Sequence, residues 1–169
     1  MHISLLLALS FLLSPLNWLL YTDPADRFSV KYPDTWELKV ENDVVSLLTA
    51  AESESDQFRE NINAMVQDLS EQPMTMAEYT KLTTDWVKES NGVLQLEREI
   101  EFAGHPATEV AYTIPANATG MDIEVMFHQV WLLKDNKAYL LTYAAQPHSY
   151  EKFELEAAEI FKSFVLKAK

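Results

Sequence analysis

The sequence predicts an α+β fold, an antiparallel β-sheet sandwiched by helices, and three observations carry that expectation. Most segments alternate apolar and polar residues with the period of half-buried strands. Only two segments, opening at Thr75 and Ser149, show helical spacing. The strands succeed one another through short polar turns instead of alternating with helices, the order expected of an antiparallel sheet. A length of 169 residues suits one domain, and 8 Phe, 7 Tyr and 4 Trp within a 48% hydrophobic composition supply a core.

The elements follow in chain order. Residues 1–21 hold no charged side chain, and residues 3–13 form an apolar run interrupted by Ser14 and Pro15. Residues 1–15 therefore read as a signal peptide or a hydrophobic amino-terminal anchor, although no Lys or Arg opens the run and no small-x-small cleavage site closes it. The rest, residues 16–169, reads as a single domain whose first strand is 16–22. Asp23 and Asp26 flank Pro24 in an Asx-type turn. Phe28, Val30 and Tyr32 then alternate as a strand, Trp36, Leu38 and Val40 as another, and residues 44–49 as a third. Residues 51–61, poor in apolar side chains, read as a solvated loop, and 62–69 resumes strand character.

Thr75 and Glu78 stand at capping-box spacing, with Met74 and Tyr79 placed for a hydrophobic staple, so a helix starts there. Tyr79, Leu82, Trp86 and Val87 are expected on its buried face, and Asn91-Gly92 should supply the left-handed residue that ends it. Leu94, Leu96, Ile100 and Phe102 form the apolar face of a strand whose outer face is acidic. After a turn at 103–106, residues 107–114, 123–133 and 138–145 form a meander. Ser149 is expected to cap a final helix that turns Phe153, Ala157, Ile160, Phe161 and Phe164 to the sheet.

Composition excludes several chemistries. The absence of cysteine removes disulfides, thiolate metal sites, thiol nucleophiles and lipoprotein attachment. Glycine occurs only at Gly92, Gly104 and Gly120, so no phosphate-cradling glycine loop can be built, and no nucleotide partner is expected. The formal charge of −13 is concentrated in residues 34–124, which hold 19 acids against 5 bases, while residues 125–169 hold 5 against 6. Such a surface repels phosphate, so nucleic acid is not an expected partner. A protein partner, basic or membrane-associated, fits better. Direct lipid contact is expected only through residues 1–21, if they are retained.

No catalytic constellation is apparent. His2, His105, His128 and His148 show no metal-ligand spacing. His128 lies four residues after Glu124 on one strand face and reads as a strand histidine paired with a carboxylate. Glu52, Glu54, Asp56 and Glu60 form the densest acidic run, yet lack the bend glycine and terminal glutamate of a calcium loop. Asn117-Ala118-Thr119 is a glycosylation sequon. Catalytic, cofactor-binding and metal residues are accordingly assigned to no position, and no cofactor is expected.

The segment Arg27-Phe28-Ser29-Val30-Lys31-Tyr32-Pro33-Asp34-Thr35-Trp36 resembles the entry of the PsbP-like family, as do Glu60-Asn61-Ile62-Asn63-Ala64, Met76-Ala77-Glu78-Tyr79, Phe102-Ala103-Gly104-His105-Pro106-Ala107, Ala138-Tyr139-Leu140-Leu141-Thr142-Tyr143 and Ser163-Phe164. The six motifs keep the family's order over residues 18–166. The resemblance implies a PsbP-like α/β/α sandwich, without enzymatic activity, exported to a periplasmic, extracellular or lumenal compartment, and acting by binding to protein assemblies. Alternatives are a calcium-type metal-binding or small-ligand-carrying extracytoplasmic protein, or a factor associated with photosystem II.

Overall fold

A computed structural model describes residues 17–167 except Ser55. The amino-terminal leader or anchor reading, and Leu16 at the expected start of the first strand, lie outside the described residues.

Among the described residues, ten strands form two antiparallel sheets and three helices accompany them. The smaller has the order β1–β2–β10, from β1 (Trp18–Thr22), β2 (Phe28–Pro33) and β10 (Val165–Leu166). The larger contains β3 (Glu37–Glu41), β4 (Val44–Leu48), β5 (Asn61–Asp68), β6 (Val93–Phe102), β7 (His105–Ile114), β8 (Val125–Lys134) and β9 (Lys137–Ala145), in the order β3–β4–β5–β9–β8–β7–β6. Two meanders are thus joined where β5 meets β9. Helix α1 (Met76–Glu89) carries the chain from β5 to the far edge at β6, α2 (Ala116–Thr119) is a single turn, and α3 (Tyr150–Lys162) precedes β10.

Local sequence explains the hairpins. Asn42-Asp43, Ala103-Gly104 and Asp135-Asn136 all have positive φ at both positions, and the flanking pairs Glu41 with Val44, Phe102 with His105 and Lys134 with Lys137 close two-residue turns. That geometry matches the twist of paired strands. The capping box at α1 forms as the spacing predicts: Glu78 N–H donates to Thr75 Oγ1 at 3.3 Å and Thr75 N–H to Glu78 Oε2 at 2.8 Å.

Alternation places Val45, Leu47, Ile62, Ala64, Leu132, Leu141 and Tyr143 on one face of the large sheet, where they join Phe28, Val30, Ile160 and Phe161 in the main core. Helix α3 packs between β2 and β9, so it and the small sheet together close this face. A second core on the opposite face gathers Tyr79, Val87, Val110, Tyr112, Ile114 and Trp131 under α1, which packs on β6 and β7.

Four local expectations are corrected. The left-handed residue after α1 is Asn91 (φ 54°), while Gly92 is required for close approach: a Cβ there would stand 2.7 Å from Ile114 Cδ1 and 2.9 Å from the carbonyl oxygens of Thr113 and Val87. The expected single apolar face of residues 94–102 is divided by a bulge between Leu94 and Leu96, so Leu94 packs with the α1 core while Ile100 and Phe102 pack with the other. Ser149 sits at the α3 N-cap but makes no capping bond; its hydroxyl donates to Glu60. Glu60, placed by sequence in a solvated loop, is 2% exposed.

Candidate functional site

The face of α1 departs from its apolar spacing. Tyr79, Thr84 and Val87 are its buried residues, and Thr80 Oγ1 bonds Thr108 Oγ1 on β7 at 3.3 Å. Leu82 and Trp86, expected in the core, are 55% and 48% exposed. The cause is that threonines fill the stripe directly over the sheet. At about 100° per residue, Trp86 stands roughly 90° and Leu82 roughly 130° from the middle of that stripe. Both residues therefore overhang the uncovered part of the sheet.

What they overhang is a cleft of 450 Å³ whose walls include Met74, Leu82, Trp86, Tyr112, Phe127 and Leu140. Trp86 meets Tyr112 edge-on, with centroids 6.0 Å apart and planes at 78°, and Tyr112 stacks on Phe127 at 5.1 Å. Tyr112 is itself buried and braced by its neighbours, so the aromatic wall is held rigidly. Tyr79 closes the inner end. Burial pushes its hydroxyl up to about 12, which keeps it protonated and donating to Gln67 Oε1 at 2.9 Å.

From this cleft an uncharged polar row crosses the open sheet in register, Ser46–Asn63–Thr142–Gln129 on β4, β5, β9 and β8. Ser46 donates to Asn63 at 2.7 Å, Asn63 to Asn61 at 2.9 Å, and Gln129 to Thr142 at 2.9 Å. Sequence reasoning missed this surface. The signal was present: β5 sets the uncharged Asn61, Asn63 and Gln67 on one face, whereas the matching face of β6 carries Glu97, Glu99 and Glu101. Neutral amides at alternating positions mark a half-buried face, where a charge would lose part of its hydration.

The histidine and carboxylate candidates lie elsewhere. His128 pairs with Glu109 on the neighbouring strand, 2.7 Å from Nε2 to Oε1, and not with Glu124, which precedes the strand and is exposed. Arg98 Nε donates to the other Glu109 oxygen at 2.5 Å. Burial works to raise the Glu109 carboxyl, but the hydrogen bonds from Arg98 and His128 outweigh it and hold the group below its usual range. Glu109 thus ties three strands together by hydrogen bonds on the α3 side of the sheet.

The acidic run does not converge. Glu52 pairs with Lys152, Asp56 accepts from the backbone of Glu52 and Phe58, and Glu60 turns inward to Ser149. Among the described residues no three His, Asp or Glu side chains are grouped to hold a metal ion. His148 borders a separate cleft beside this loop, apart from the aromatic one, His105 begins β7, and His2 lies outside the described residues. In the sequon, Asn117 is exposed on α2, while the Thr119 hydroxyl is engaged with the carbonyls of Ala116 and Ile123. Asp23 does more than shape its turn: it is buried and accepts from Arg27 Nε at 2.8 Å and Nη2 at 2.7 Å.

No protein-family model matches the chain, and no curated protein matches it in sequence. Solved structures do. The cyanobacterial PsbP (CyanoP) of Synechocystis sp. PCC 6803 is 12% identical, with a TM-score of 0.63 over 95% of this chain and 98% of that one. LpqN of Mycobacterium tuberculosis is 12% identical, with a TM-score of 0.62 over 91% and 92%. The Ran-binding protein Mog1p of Saccharomyces cerevisiae is 10% identical, with a TM-score of 0.58 over 89% and 96%. With about nine-tenths or more of each chain aligned, this chain has the PsbP/Mog1-like α+β sandwich fold.

Proposed function

We propose that the chain is a non-catalytic, exported binding or assembly domain that works by contact with a protein partner in a membrane-associated complex. The observation that carries this reading is the aromatic cleft, where a half-exposed Trp86 stands over Tyr112 and Phe127 at the border of an uncovered sheet. Tryptophan and tyrosine are the residues that dominate protein interfaces. The cleft's walls are neutral although the chain carries a charge of −13. A partner segment with apolar anchors can thus seat there, and a basic partner suits the net negative charge of the chain.

The neighbours support the same reading. Mog1p is a Ran-binding protein, and LpqN is involved in cell envelope biogenesis, one example of protein binding and one of work at the envelope. The test is a photoreactive phenylalanine at position 86, with the same group at Leu155 on α3 as control. Irradiation in host membrane and soluble fractions should give one discrete adduct from position 86 and none from 155. Equal labelling from both positions, or none from 86, would remove the cleft as the contact. A cleft of 450 Å³ also suits a small apolar ligand. Native mass spectrometry of the purified protein separates that reading by an added ligand mass.

A further inference from the structure

The small sheet turns its outer face away from the core, and Trp18, Leu20 and Val165 give that face an apolar patch. In register, Leu19 and Tyr21 lie opposite Tyr32 and Val30 on the core side, where Tyr21 packs against the core and Leu19 stays 45% exposed, while Trp18 and Leu20 lie opposite Pro33 and Lys31 and face outward. Val165, opposite Ser29, extends the outer face across β2. Trp18, Leu20 and Val165 are 38%, 61% and 52% exposed. Among the described strands β1 is also an edge, which proteins in water usually blunt with charge. Here Lys31 is the one ionisable side chain among the outward positions of the three strands, and it is basic in a strongly acidic chain.

The chain leading into this strand limits what can cover it. The apolar run at residues 3–13 ends five residues before Trp18, and no Asp, Glu, Lys or Arg occurs before Asp23. Five extended residues reach about 17 Å. Any apolar phase that takes up the run therefore lies within that distance of Trp18. The acids at the two ends of the face are already engaged: Asp23 is held by Arg27, and Asp34 accepts from Asn17 Nδ2 at 3.2 Å.

We infer that the outer face of the β1–β2–β10 sheet rests on a lipid bilayer surface, with Trp18 and Leu20 in the interfacial layer and Lys31 among the headgroups. Tryptophan favours that layer because its ring is apolar and its N–H is polar. Elsewhere the negative surface is repelled by anionic lipid; on this face the charge among the outward strand positions is the basic Lys31, which lowers that penalty. The placement turns the opposite face of the large sheet, with its aromatic cleft, away from the membrane. It is independent of what binds in that cleft.

The absence of cysteine permits a clean test. In the full chain, Leu20→Cys, Val165→Cys, Leu155→Cys and Leu82→Cys are each labelled with an environment-sensitive nitrobenzoxadiazole dye and mixed with phosphatidylcholine–phosphatidylglycerol vesicles. Circular dichroism first establishes that each labelled protein is folded. The expected result is a several-fold rise in emission at positions 20 and 165, quenched by nitroxide-labelled lipid, with positions 155 and 82 unchanged. Four results would overturn the inference: vesicles that sediment the protein while position 20 stays unchanged, so that the run alone binds; emission at position 20 that is high before lipid is added, the sign of residues 1–16 covering the face; emission that rises with protein concentration alone, the sign of a second copy; and failure to bind vesicles at all.

Discussion

The two faces of the large sheet are built from the same strands and have opposite characters. Toward α3, β4, β5, β9 and β8 present Val45, Leu47, Ile62, Ala64, Leu141, Tyr143 and Leu132, all essentially inaccessible. On the other face the same strands present Ser46, Asn63, Thr142 and Gln129, linked by side-chain hydrogen bonds and covered by none of the described helices. The first face is closed by two elements, α3 and the small sheet; the second has only α1, which lies over β6 and β7. A sheet wider than the helix that covers it leaves an open margin. Here that margin is lined with amides and aromatic rings, the side chains that can lie half in water at low cost.

Substitutions should separate the faces by size of effect. Ile160→Ala, inside the closed core, is expected to destabilise by about 3 kcal/mol, since it removes buried methylenes and leaves a cavity that α3 cannot close. Urea denaturation followed by circular dichroism measures it, and a loss below about 1 kcal/mol would mean that this face is as open as the other. Asp23→Asn, where β1 turns into β2, comes next, with a loss of about 2 kcal/mol at pH 7 from the charged hydrogen bonds to Arg27.

That second effect depends on pH in a definite direction. The Arg27 hydrogen bonds hold the Asp23 carboxyl below its ordinary value. Its contribution is therefore complete above the unfolded-state range near pH 4 and fades as the pH falls through the lower folded value. Denaturation midpoints of the wild type and Asp23→Asn should converge between about pH 4 and pH 2. Parallel curves across that range would show that the pair contributes packing alone.

Thr75→Ala should cost about 1 kcal/mol by removing one half of the capping box, read as a lower midpoint with unchanged cooperativity. The smallest change is expected on the open margin. Trp86→Ala, despite deleting the largest side chain type, should shift stability by less than about 0.5 kcal/mol, as other exposed replacements do. A larger loss would mean that Trp86 supports the core under α1 instead of standing ready for a partner.

Much of the fold was legible because its signals are local. Thr75 and Glu78 fixed the start of α1, period-two alternation located the strands, and the pairs Asn42-Asp43 and Asp135-Asn136 turned as short polar side chains allow. The candidate site was legible only in part. Leu82 and Trp86 looked like core because spacing reports that large apolar residues share a side of the helix, while it is silent on where the sheet lies beneath them. Gly92 looked like a conformational choice and proved to be a steric one, since Ile114 and Thr113 that forbid a Cβ are distant in sequence.

By itself, then, the sequence determined the elements, the turns, the α+β class, the uneven charge and the lack of thiol or phosphate-loop chemistry, because each depends on neighbours within a few residues. Tertiary structure alone decided that β5 joins β9, that Glu60 is buried against Ser149, that Glu109 and not Glu124 partners His128, and that the sheet has one open face. These rest on contacts between residues 19 to 89 positions apart. Alternation says which residues share a face; only the packing of helices on sheets says which face meets water.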